Sequence, residues 1–113
     1  MKVFNKTKET VLAQEVEIAD NFFARAQGLM GRKNLSPSAA LVIQRCNSIH
    51  TFFMRFPIDV LFLDKNYKVV GLENYLKPWR VAPIYWQAKL VVELPAGKIR
   101  ESRTAKDDEI GIL

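Results

Sequence analysis

One cysteine, one histidine, five glycines and five prolines are all that this 113-residue chain contains of those residue types. A lone Cys46 excludes an intrachain disulfide and makes a reducing compartment the simpler reading. A lone His50 excludes a multi-histidine metal site. Neither Cys-x-x-Cys nor His-x-x-x-His spacing occurs, so neither a metal nor a cofactor is expected. Long apolar runs are missing too: stretches such as Ala39 to Ile43 are far too short to span a bilayer. The first residues lack the apolar core of a secretory signal, and the expected location is cytoplasmic. Repeats, low-complexity stretches and linkers are likewise absent, which leaves one domain over residues 1–113.

What is present is apolar and aromatic. The hydrophobic fraction is 49%, with seven Phe, three Tyr and two Trp, enough large side chains for a core without staples. The formal net charge is +5. Its Lys and Arg are scattered from Lys2 to Lys106 with no run longer than Arg32-Lys33, which argues for a solvated basic surface and against nucleic acid.

One short helix is expected near residues 20–28, with Asp20 as N-cap and Gly28 as stop. Nearly everything else reads as strand: Val11 to Ile18, Ala39 to Ile43, a weakly alternating Ile49 to Phe56 ended by Pro57, and Ala88 to Leu94. Ile58 to Leu63 and Tyr67 to Leu72 flank Asp64-Lys65-Asn66 as the clearest hairpin, and Ile110 to Leu113 could close a sheet. The fold class is mainly β, a compact β-sandwich or distorted barrel with one short helix.

Chemistry-bearing residues are few. Cys46 and His50 could form a nucleophile and base, but in extended chain their spacing of four separates them by roughly 13 Å at about 3.3 Å per residue. His50 alone is expected as a buried ring bonded to backbone or to Asp59. Arg25, Arg45, Asp59 and Glu93 sit beside apolar segments, so each either points outward or is paired inside. Trp79, Arg80, Tyr85 and Trp86 occupy a proline-bounded loop that either recognises a partner or folds its aromatics over an open end of the barrel.

Several segments occur together in order: RAQGLMGRKNL (Arg25 to Leu35), SIHTFFMRFPIDVLFLDKNYKVV (Ser48 to Val70), Lys77-Pro78 and VVELPAG (Val91 to Gly97). They resemble the DUF192 family, over most of the chain. The resemblance implies a compact β-sandwich or distorted barrel with a short helix, and it implies no reaction. Many relatives carry Trp before the central Met, where this chain has Phe53.

The leading functional expectation is a domain binding an unknown small molecule or protein through Arg25, Cys46, His50 and Asp59, lidded by Trp79, Arg80 and Trp86. A small enzyme using His50 with Cys46 or Asp59 in acid–base chemistry is the second. Nucleic-acid binding through the basic surface is the third.

Overall fold

The computed structural model describes residues 1–21 and 28–113. The short helix expected near residues 20–28 falls largely on residues 22–27, outside the described residues, and so does Arg25.

Among the described residues, eight strands form two sheets. In chain order they are β1 (Val3–Asn5), β2 (Thr10–Ala13), β3 (Glu15–Ala19), β4 (Ala39–Gln44), β5 (Ile58–Leu63), β6 (Val69–Leu76), β7 (Leu90–Pro95) and β8 (Ile110–Ile112). A five-residue helix, α1 (Lys98–Ser102), lies between the last two. The smaller sheet is ordered β2-β1-β8 and is antiparallel. The larger is ordered β3-β4-β7-β5-β6, with β3 and β4 parallel and the other pairs antiparallel. The mainly β expectation therefore holds, as two sheets and not as a closed barrel.

Period-two alternation in the larger sheet explains its packing. Ala40 and Val42 of β4, Leu61 and Leu63 of β5, and Val92 and Leu94 of β7 face one apolar cluster. That cluster includes Val3, Leu12 and Ile110 of the smaller sheet, and Ile99 of α1. Leu41, Ile43, Ile58, Val60, Phe62 and Val91 face the other way, into a second cluster with Leu29, Ile49 and Met54. Both faces of β5 are buried, as a continuous apolar run requires. A sheet and a helix cover the first face. Among the described residues, irregular chain covers the second.

The expected strand Val11 to Ile18 is two strands in different sheets, broken at Gln14, whose amide and that of Glu15 both turn to the Ser38 carbonyl. The expected strand Ile49 to Phe56 does not form either. Apart from a bridge between His50 and Val81 this segment is turn and loop. Four consecutive residues lose their strand geometry because Thr51 and Met54 close a tight turn at Phe52-Phe53. The hairpin is as expected, with Asp64 Oδ1 accepting from the amides of Asn66 and Lys68, although β6 begins at Val69 and runs to Leu76.

Asp59 is fully buried, on the face of β5 shared with Leu61 and Leu63. Its Oδ1 accepts from the Tyr75 amide at 2.9 Å, and its Oδ2 from Gly97 at 3.0 Å and Ile99 at 2.8 Å. One carboxylate thus ties the end of β6 and the first turn of α1 to β5, satisfying three backbone amides. Replacing it by Ala strands three donors. We expect Asp59→Ala to lose about 4 kcal/mol in urea or thermal unfolding. A loss below about 1 kcal/mol would refute this structural role.

Candidate functional site

On the second face of the large sheet, two stretches of irregular chain run antiparallel as a hydrogen-bonded ribbon. The Tyr85 amide donates to the Asn47 carbonyl at 3.0 Å, Ala82 to Ile49 at 2.9 Å, Thr51 to Arg80 at 2.8 Å and Trp79 to Thr51 at 2.9 Å. Thr51, fully buried, is the hub: its hydroxyl also donates to the Lys77 carbonyl and accepts from the Arg80 amide at 2.9 Å. At the other end, Tyr85 packs its ring on Phe62 with centroids 4.2 Å apart and bonds Glu73 at 2.6 Å. The seat for that ring is Gly71, where an added Cβ would lie 2.1 Å from a Tyr85 ring carbon. Burial, reinforced by the Glu73 bond, pushes the Tyr85 phenol up to about 12. Any side chain at residue 71 must evict the tyrosine. We expect Gly71→Ala to cost about 1–3 kcal/mol of stability, measured by chemical denaturation, and Tyr85→Phe to cost less.

Between ribbon and sheet lies a cavity of about 100 Å³, lined among others by Leu29, Ile43, Cys46, His50, Met54 and Glu93. The turn Gly28 to Gly31 also borders it. Both glycines have positive φ, and the Gly31 amide bonds the Phe53 carbonyl at 3.1 Å, tethering that turn to the ribbon.

Glu93 is the unusual member. It pairs with Val60 across the sheet and so faces the second cluster, only 2% exposed. Its Oε1 is buried and has no hydrogen-bond partner among the described residues. Burial pushes the carboxyl up to about 8, against a smaller opposing pull from the positive charge of Arg32. Arg32 itself is engaged by Glu17, at 2.7 and 3.2 Å. At neutral pH, Glu93 is therefore mainly a neutral acid, able to donate as well as accept.

The remaining expected site residues separate by face and by exposure. Cys46 and His50 do line the same cavity. The Cys46 thiol donates to the Ser48 carbonyl at 2.9 Å, and His50 Nδ1 accepts from the Phe52 amide at 3.1 Å. His50 is exposed and stacks beside Phe52, with centroids 4.9 Å apart, and is not the buried ring expected. Asp59 lies on the opposite sheet face, its oxygens taken by backbone amides, and does not join them. Trp79 and Trp86 are exposed, at 55% and 78%, and Arg80 is exposed as well, so the loop presents its two tryptophans to solvent. Among the described residues, no three His, Cys, Asp or Glu side chains converge as a metal site.

Glu93 lines the cavity but is not among the expected site residues. A carboxylate within Val-Val-Glu-Leu, on a strand whose two faces are both apolar, was the available signal.

The family model of DUF192, described as an uncharacterised ACR, matches residues 3–112. The UPF0127 protein of Pyrococcus horikoshii is 43% identical over 106 residues, covering 88% of this chain and 88% of that protein. That of Thermococcus sibiricus is 40% identical over 112 residues, covering 96% and 72%. A crystal structure of a protein of unknown function from Novosphingobium aromaticivorans superposes with a TM-score of 0.84 at 17% identity, covering 98% of this chain and 82% of that one.

The raised Glu93 carboxyl has a consequence for stability. Between pH 4.5 and about 8 the unfolded chain releases this proton while the folded chain keeps it. Stability contributed at this position is therefore highest below pH 4.5 and falls as pH rises to about 8, by a few kcal/mol at about 1.4 kcal/mol per unit. Glu93→Gln should match wild type near pH 5 and exceed it at pH 8.5 in urea unfolding. Parallel pH profiles for the two proteins would contradict the burial of an ionisable group here.

Proposed function

The chain belongs to the DUF192 family, and on that premise we propose that it is a small-ligand-binding β domain whose site is the cavity over Glu93. The observation that carries this reading is the buried Glu93 Oε1 without a hydrogen-bond partner among the described residues. Leaving a polar atom so costs a folded protein about 1–3 kcal/mol. Buried groups of this kind are rare in native proteins, and a binding role accounts for one that faces a cavity.

The cavity's chemistry selects the ligand. Leu29, Ile43, Ile49 and Met54 supply apolar walls, while Glu93 offers the donor and acceptor of a neutral acid. Space of about 100 Å³ takes a polar head of only a few atoms, such as a carboxamide, carboxylic acid or hydroxyl group. A charged head has less support, since no cation lines the cavity among the described residues and the acid itself is held neutral. Cys46 and His50 border the same space, but each commits a polar atom to the backbone, which supports binding over acid–base chemistry.

A thermal-shift screen with neutral amides, small carboxylic acids, alcohols and sugars tests this on wild type and Glu93→Leu. A ligand at 100 times its Kd should stabilise wild type by about 2.7 kcal/mol. Glu93→Leu should be at least as stable as wild type without ligand and should not respond to it. If no compound shifts wild type, or the leucine variant responds equally, the cavity is a packing defect or a water site and the reading fails.

A further inference from the structure

The outer surface of the ribbon has a property that the cavity does not explain. Its two segments, residues 45–58 and 74–92, carry Arg45, Arg55, Lys77, Arg80 and Lys89 without one exposed acidic side chain. The only Asp or Glu near their ends are the buried Asp59 and Glu93 and the Tyr85-bonded Glu73. Elsewhere the chain has equal numbers of acidic and basic residues, so the whole net charge of +5 resides on this ribbon.

The same ribbon exposes apolar side chains at its turns and between them. Phe52 and Phe53 occupy the corners of the turn closed by the Met54 amide and the Thr51 carbonyl, and Phe53 is 62% exposed. Trp79 follows Pro78 at the next turn, 55% exposed, with its ring 4.7 Å from that of Phe53. Val81 is 64% and Ile84 49% exposed. Turn corners ordinarily carry Gly, Asn or Asp. Here Phe53 and Trp79 both have a φ of +64°, a conformation that costs an L-residue roughly 1–2 kcal/mol and that glycine adopts without penalty. Two bulky aromatics thus sit in left-handed backbone, packed on each other and more than half exposed.

We propose that the Phe53 and Trp79 turn tips insert into the headgroup region of an anionic lipid bilayer, with Arg55, Lys77 and Arg80 contacting lipid phosphates. Aromatic side chains beside cations suit the interface, where an apolar ring body meets polar headgroups. Val81 and Ile84 decide between partners. Bases stack on aromatic rings but gain nothing from exposed aliphatic side chains, whereas acyl chains accept both. A second copy of this chain is disfavoured, because two surfaces bearing the same concentrated positive charge repel.

The two tryptophans make the test direct. In the Trp86→Phe variant of this 113-residue chain, Trp79 is the sole tryptophan. Its emission should shift to the blue with phosphatidylcholine–phosphatidylglycerol vesicles but not with phosphatidylcholine alone, and acyl-brominated lipid should quench it. Arg55→Gln with Arg80→Gln should weaken partitioning roughly 25-fold at low salt, taking the usual worth of a surface cation near anionic lipid. Phe53→Gly with Trp79→Gly should unfold no earlier than wild type and yet fail to sediment with anionic vesicles. Strong destabilisation of that glycine pair would make the aromatics structural and overturn the proposal. So would quenching of Trp79 by a single-stranded oligonucleotide without vesicle binding, a concentration-dependent dimer that hides Trp79 from iodide, or no blue shift on any anionic vesicle.

Discussion

Everything in this structure depends on a five-stranded sheet whose central strands are apolar on both faces. Ile58, Val60 and Phe62 point one way from β5, Leu61 and Leu63 the other, and neither set can be left in water. Burying such a side chain contributes about 1.5–3 kcal/mol, so the sheet requires a cover on each side. The three-stranded sheet and α1 meet that need on one face with regular structure. Among the described residues the other face is covered by loops, and loops can close over a sheet only if their backbone groups find partners. Thr51 and the antiparallel ribbon provide them.

That choice of cover produces the cavity and the exposed aromatic surface. Regular sheets pack tightly, whereas a ribbon tied at Thr51 and Tyr85 and tethered to the Gly28–Gly31 turn leaves a space over Glu93. The same turns that let the ribbon follow the sheet place Phe53 and Trp79 at corners facing solvent. The cavity and the aromatic surface are the inner and outer sides of one irregular layer.

Asp59 and Glu93 show how tertiary context divides two chemically similar groups. Both are buried in the large sheet, on adjacent strands. Asp59 faces the helix side and is saturated by three amides, which makes it a structural anchor. Glu93 faces the ribbon side with Oε1 unmatched, and burial drives its carboxyl up to about 8. The register between β5 and β7 assigns them to opposite faces, since Asp59 stands opposite Leu94 while Glu93 stands opposite Val60.

Much of the fold was legible in the chain itself. The apolar runs Ala39 to Ile43 and Ile58 to Leu63 and the Asp64 turn specify strands and a hairpin through local pattern and turn chemistry, and the motifs around Gly-Leu-Met and Glu-Leu-Pro-Ala-Gly identify the family. The net charge was legible as well, but its concentration on one ribbon was not, because that ribbon joins segments some thirty residues apart. The segment Ile49 to Phe56 read as strand because its alternation is genuine, yet long-range bonds from Thr51 to residues 77–80 outweigh a weak local preference. Local patterning thus determined the apolar strands at Ala39 to Ile43 and Ile58 to Leu63 and their burial. Only the tertiary structure decided which face each carboxylate occupies, because side-chain direction on a strand acquires meaning when both faces have been given their covers.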